Sequence, residues 1–380
     1  MKNKGDMKLD RIRQYIDELI EKSTPDKPIW NIEKIRQGKG ASWNYIDGCM
    51  ITAILGMYEY TQDEKYLKFA DDFTSFYIEE DGNIKFYNIE EYNLDNINAG
   101  KNLYKLYDLT GKEKYRKAID VLYKQLQGQP RTESGNFWHK LIYPNQVWLD
   151  GLYMTQPFYM AYETRFNKMG NYMDIYRQFL NVEKNMKDPE TGLYYHAYDE
   201  SREMFWCDKE TGLSQNYWLR SLGWFAMSLV DTLEEMDEQI FYEYRKLMSI
   251  FKDFVDSMIK YQDEETGMWY QVPDKGDREG NYLETSGSAM MSCAIMKGVR
   301  LGYLPERYRA YGAKGFEGIE KQYLKEKDGE LSLGGICLVA GLGGKDMRDG
   351  SFEYYMSEPV VENEAKGVAP FLLAYTEWIR

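Results

Sequence analysis

Thr191-Gly192-Leu193-Tyr194-Tyr195-His196 is the stretch on which the fold turns. A small polar residue precedes a glycine, and two aromatics follow. The same signature opens at Asp81-Gly82-Asn83, Ser134-Gly135-Asn136, Thr266-Gly267-Met268 and Asp328-Gly329-Glu330. Three of these four also run into aromatics: Phe86-Tyr87, Phe137-Trp138 and Trp269-Tyr270. The glycines recur roughly every 50 to 75 residues, a period that fits one helical hairpin per repeat. Gly40 with Trp43 marks a candidate sixth unit.

Between these loops the apolar residues follow a helical period. In 43–60 they are Ile46, Met50, Ile54 and Met57; in 216–233 they are Leu219, Leu222, Ala226, Leu229 and Leu233. Similar faces run through 99–109, 113–126, 153–166, 171–186, 241–260, 287–301 and 367–380. Pro130, Pro144, Pro189, Pro273 and Pro305 fall at segment edges, where helices should stop. Hairpins that cannot bury a face alone must stack, as an open solenoid or a closed ring. A solenoid ends on a polar cap, whereas Val368-Ala369-Pro370-Phe371-Leu372-Leu373-Ala374 is apolar, which favours closure. No linker divides the chain. The expectation is an all-α single domain over residues 26–380, preceded by a charged amphipathic helical extension over 1–25.

Composition narrows the function. A net charge of −14 and a pI near 4.9 argue against nucleic acid and membrane surfaces as partners. No apolar run approaches the roughly 20 residues of a membrane span, and the N-terminus lacks the apolar core of a signal peptide. Cys49, Cys207, Cys293 and Cys337 are too scattered for a disulfide framework or a zinc knuckle. The expected compartment is the cytoplasm. The 34 Tyr and 9 Trp suit carbohydrate faces, although a large helical core consumes most of them.

The chemistry concentrates in His139-Lys140-Leu141-Ile142-Tyr143-Pro144-Asn145-Gln146-Val147-Trp148-Leu149-Asp150-Gly151-Leu152-Tyr153-Met154. It offers cations for a carboxylate, Trp148 for a ring face and Asp150 for proton transfer. The chain has two histidines. His139 and His196 both follow a Gly-aromatic loop, and equivalent positions in a ring of repeats open on the same rim. Asp95 stands at a helix start, where capping is the plainer role. Trp218 and Arg220 sit at another, and Arg suits a carboxylate. Ser286, within Glu284-Thr285-Ser286-Gly287-Ser288, reads as a cap or a ligand hydroxyl. There is no P-loop and no Gly-x-Ser-x-Gly elbow. Two separated histidines argue against a metal site, and no cofactor is expected.

In order, Leu94-Asp95-Asn96-Ile97-Asn98, His139-Lys140, the block from Tyr143 to Met154, Gly192 to His196, Trp218-Leu219-Arg220, Glu284 to Ala289 and Ser351 to Val360 resemble the unsaturated rhamnogalacturonyl hydrolases, glycoside hydrolase family 105. The resemblance implies an (α/α)6 barrel. It also implies an exo-acting enzyme on a small anionic oligosaccharide, with a 4,5-unsaturated galacturonic acid at the non-reducing end. By this resemblance Asp150 protonates C4 of the double bond and then takes a proton from the water adding at C5, with Asp95 as the second catalytic acid. Trp43, Tyr45, His139, Lys140, Trp148, His196, Trp218, Arg220 and Ser286 are the implied substrate-binding residues. Asp150 must begin protonated, which burial beside Trp148 or the nearby Asp95 would favour. The chain departs from the family pattern at Ser221-Leu222-Gly223-Trp224, where Gly-Asn-Gly-Trp is usual, and at Leu219, where Gly is usual. Both changes fall in the implied pocket wall. The alternatives are an unsaturated glucuronyl hydrolase with the same chemistry, a sugar epimerase or isomerase using His139 and His196, and a non-catalytic glycan binder.

Overall fold

The computed structural model describes the backbone of residues 4–380, and the side chains of 11–380 apart from 327. Helices alternate between an outer and an inner layer. Outer α1 (Lys4–Glu21) leads to inner α2 (Tyr45–Thr61), and outer α3 (Glu64–Ser75) to inner α4 (Lys101–Thr110). The pattern continues with α5 (Glu113–Gly128) and α6 (Leu149–Arg165), then α7 (Tyr172–Met186) and α8 (Leu219–Glu235). It ends with α9 (Phe241–Ile259) and α10 (Thr285–Arg300), then α11 (Arg309–Tyr323) and α12 (Ala365–Ile379). A short helical turn, Asp95–Asn98, precedes α4 and shares its place in the ring.

Each inner helix packs on the next, and α12 packs on α2, so the ring closes as an (α/α)6 barrel. The two layers differ in the way burial demands. On inner α8 every residue from Leu219 to Val230 is buried. On outer α7 only a stripe is buried: Tyr172, Ile175, Gln178, Phe179, Val182 and Met186. The apolar 368–374 segment lies in α12, against its neighbours α10 and α2. Described side chains of α1 join the same core through Ile12, Tyr15, Ile16 and Leu19.

The repeated glycine loops each follow an outer helix and turn the chain back toward the axis. Gly82, Gly135, Gly192, Gly267 and Gly329 all have left-handed φ, from 74° to 102°. In the first unit Gly38, at φ 61°, takes this conformation rather than Gly40. The strands are short. β1 (Gln146–Trp148) pairs antiparallel with β2 (Ala197–Asp199), β3 (Leu324–Lys327) with β4 (Glu330–Leu333), and β5 (Ile336–Cys337) with β6 (Val360–Val361).

Two of these glycines make a controlled comparison. A Cβ on Gly192 would stand 2.2 Å from Ser257 Oγ on α9, whereas one on Gly135 would meet nothing within 4 Å. Gly135→Ala therefore bears only the backbone penalty, about 1 kcal/mol. Gly192→Ala adds a steric conflict and is expected to lose about 2–4 kcal/mol. Denaturant midpoints of the two variants check the order.

Candidate active site

The inner helices begin at one mouth of the barrel, and a ring of main-chain bonds ties those starts together. Leu94 N–H donates to the His139 carbonyl (3.1 Å), Leu149 to His196 (3.2 Å) and Leu219 to Gln271 (3.0 Å). Thr285 donates to Gly335 (2.8 Å) and Ala365 to Trp30 (2.8 Å). Five of the six units thus hold the loop of the next, the last holding the first. The residue after each donor then takes an equivalent place around the mouth. Those residues are Asp95, Asp150, Arg220, Ser286 and Lys366. No side chain caps the helix starts at Trp148, Trp218 and Glu364, whereas the Asp95 N–H donates to Asn93 Oδ1 at 3.0 Å. Their N-terminal dipoles converge on this mouth and favour an anion there.

Asp95 pairs with the Lys140 ammonium at 2.7 Å, and His139 Nε2 lies 3.4 Å from its other oxygen. Burial alone would raise the Asp95 pKa, but Lys140 and His139 outweigh it and hold the carboxyl below its usual range. Asp95 is therefore ionised. His139 is 3% exposed, and desolvation pushes its pKa down to about 4 against the pull of Asp95. It is neutral, not the cation the sequence suggested. Because the unfolded chain takes up this proton first, near pH 6.5, stability is full above that pH and falls toward pH 4. Between pH 7 and 4.5 His139 should cost about 2 kcal/mol. Denaturant midpoints at the two pH values, compared with His139→Gln, measure it.

Asp150 stands on the first turn of α6. Its Oδ2 has no hydrogen-bond partner and faces His196 Nε2 at 3.4 Å. His196 is wholly buried, and its Nδ1 lies 2.7 Å from the Tyr355 hydroxyl. Trp148 closes this corner. Its ring lies parallel to His139 (4.9 Å) and to Tyr143 (5.3 Å), and its edge meets His196. Trp148 thus presents no open face to a sugar, contrary to the stacking role expected of it. Trp218, 1% exposed, packs on Tyr355 and His196 and is equally enclosed. The rings that keep partial exposure here are Tyr143 and Tyr45. Trp43 donates its indole N–H to the Asn96 carbonyl at 2.8 Å, bracing the Asp95 turn.

Arg220 is a strut in the wall. Its Nε donates to Ser286 Oγ at 2.7 Å, and its terminal nitrogens donate to the carbonyls of Cys337 and Leu338. Glu284 stands 3.8 Å away and accepts from Ser286 Oγ, Gly287 N and Cys337 N. Arg220, Ser286 and Glu284 are essentially inaccessible. The implied substrate-binding residues His139, Lys140 and Arg220 therefore offer no free cation. Lys140 and Arg220 are both already paired, and His139 is uncharged.

The model of the family described as Glycosyl Hydrolase Family 88 matches residues 15–380. A solved glycoside hydrolase from family 105 of C. acetobutylicum is 49% identical, with a TM-score of 0.86 over 89% of this chain and 94% of that one. The chain belongs to the family 88/105 glycoside hydrolases. Protein Atu3128 of Agrobacterium fabrum is 37% identical over 232 residues, 59% of this chain and 97% of its own. The unsaturated rhamnogalacturonyl hydrolase YesR of Bacillus subtilis is 26% identical over 297 residues, 77% of this chain and 78% of its own. The unsaturated glucuronyl hydrolase of Bacillus sp. GL1, at 15% identity and a TM-score of 0.64 over 87% and 85% of the two chains, shares the fold.

The hydrolase carries a second charged group at the same mouth that the sequence reading did not name. Lys366, 1% exposed, contacts Glu33 at 2.5 Å and Glu364 at 3.3 Å. Glu33 is within electrostatic reach of Asp95, Lys140 and Arg220. The signal was present: Trp148-Leu149-Asp150, Trp218-Leu219-Arg220, Glu284-Thr285-Ser286 and Glu364-Ala365-Lys366 are one register. A cavity of about 650 Å³ opens at the opposite mouth. Its cations are spent on its own acids, as in Lys297 with Asp231 and Glu234, and Arg300 with Glu377. Volume alone therefore does not locate the chemistry. Among the described residues no group of three or more His, Cys, Asp and Glu is arranged to hold a metal ion, and no helix is long and apolar enough to cross a membrane.

Proposed function

We propose that the hydrolase releases 4,5-unsaturated galacturonic acid from the non-reducing end of short rhamnogalacturonan oligosaccharides by hydrating the C4=C5 bond. The observation that carries this is the pairing of two unlike carboxyls at one mouth. Asp95 is locked as an anion by Lys140, while Asp150 keeps an oxygen free of hydrogen bonds beside a buried imidazole. Two titratable groups with contrasting surroundings divide the roles of proton donor and anionic partner. Asp150 gives its proton to C4, positive charge develops at C5 next to the ring oxygen, and water adds there while returning a proton to Asp150. The C5 hemiketal opens, and the hemiacetal left at C1 releases the second sugar.

The converging helix starts supply N–H groups for the uronate carboxylate, a task the paired cations do not fill. Tyr143 and Tyr45 are the rings available to line a sugar. The likeness to YesR supports a rhamnose-linked substrate. Four buried, unpaired cysteines support a reducing compartment such as the cytoplasm.

The test follows the ultraviolet absorbance of the uronic double bond on a panel of unsaturated disaccharides. Loss on the rhamnose-linked compound, well ahead of the glucuronyl and sulfated ones, is expected. Preference for a glucuronyl substrate would replace the substrate and keep the chemistry. No loss on any member would remove the proposed reaction.

A further inference from the structure

The two nitrogens of His196 meet different partners. Nδ1 lies 2.7 Å from the Tyr355 hydroxyl, and Nε2 faces Asp150 Oδ2 at 3.4 Å. Tyr355 is fully buried, and desolvation holds its pKa well above the ordinary phenol range, so the hydroxyl keeps its proton. His196 Nδ1 is the partner at hydrogen-bond distance from that hydroxyl, and a phenol that keeps its proton can serve that nitrogen as donor. A neutral imidazole has one donor and one acceptor nitrogen, and the bond made by one fixes the state of the other. With Nδ1 accepting, the ring proton would sit on Nε2, on the side of Asp150. Neither Nε2 nor Oδ2 has another hydrogen-bond partner. Their gap is about half an ångström longer than a charge-assisted N–H···O bond.

We propose that Tyr355 is a positioning residue that sets the tautomer of His196, so that Nε2–H is held ready for the carboxylate Asp150 becomes when it gives up its proton. The inference rests on the reading of Asp150 as proton donor. In the protonation step the Asp150 proton forms the C4–H bond with the π pair, and the new carboxylate draws Nε2–H into a full hydrogen bond. In the hydration step water bonds to C5 and its proton returns to Asp150, so His196 exchanges no proton in the cycle. The aromatic groups packed on His196, Trp148 and Trp218, carry no charge. The titratable groups facing Asp150 are His196, His139 and Tyr355, and those facing Tyr355 further include Tyr354, Cys337 and Asp349. None of these is a fixed cation that would satisfy the Asp150 carboxylate in place of Nε2–H.

Because the chain has two histidines, ¹⁵N spectra can be assigned with His139→Gln alone. The wild-type protein should show His196 protonated on Nε2. Tyr355→Phe keeps the ring and removes the phenol donor. It should shift His196 toward the Nδ1–H form and lower kcat at least tenfold on the rhamnose-linked disaccharide, with KM within threefold. An Nδ1–H tautomer in the wild type would overturn the proposal, and so would a Tyr355→Phe protein that keeps both the tautomer and kcat. The wild-type spectrum decides the point even if the variant folds poorly. A protein that turns over no unsaturated disaccharide would sink the proposed reaction, while the spectra would still judge the role of Tyr355.

Discussion

Asp150→Asn should lower kcat by about 10²–10⁴-fold, the range supplied by a positioned general acid and base, with KM little changed. Asparagine preserves the volume of the side chain on the first turn of α6 and its place beside His196, so the loss falls on proton transfer rather than on binding. Asp95 is a poor substitute, because Lys140 holds it ionised. The same assay in deuterated water adds a second readout: the product should carry solvent deuterium at C4. A variant that retains more than a tenth of the wild-type kcat would mean that the proton reaches C4 by another route. An unaffected thermal melt accompanies the expected result, since Asp150 Oδ2 makes no hydrogen bond whose loss could unfold the chain.

What the sequence made legible followed from how strongly each element must repeat itself. Inner helices such as α8, buried throughout Leu219–Val230, show a strong apolar period, and the left-handed glycines mark the returns from the outer layer. Outer α11 was missed for a physical reason. Gly312, Gly315 and Gly318 sit at three-residue steps along it. Gly312 and Gly315 lie against Met296 and Ser292 of α10, where a Cβ would clash. Close backbone approach there replaces the apolar stripe that periodicity seeks. Asp95, Asp150, Lys140 and both histidines, singled out in the sequence because they follow conspicuous loops, lie together at one mouth. Glu33 was hidden because its part-buried ion pair with Lys366 joins residues 333 positions apart. The enclosure of Trp148 and Trp218 was equally invisible: a tryptophan that faces a sugar and one that braces a histidine look the same in sequence.

Arg220 separates the two readings of that wall most sharply. If its guanidinium chiefly held the substrate carboxylate, Arg220→Met would raise KM and leave the denaturant midpoint in place. The geometry argues for the opposite. The side chain is 1% exposed and bridges α8 to the start of α10 and to the main chain at Cys337 and Leu338, with Glu284 buried beside it. Methionine fills a similar volume but leaves two carbonyls, a serine hydroxyl and a carboxylate without their shared donor. Removing one partner of a buried charged network costs about 3–5 kcal/mol. That loss should appear as a lower denaturant midpoint. Arg220→Lys keeps the charge but not the planar fork that reaches several acceptors at once, so it should recover only part of the stability. Activity should fall in step with the folded fraction, because the strut aligns two of the five equivalent helix starts and with them the mouth they enclose. A stable Arg220→Met protein with a raised KM would return this residue to the substrate.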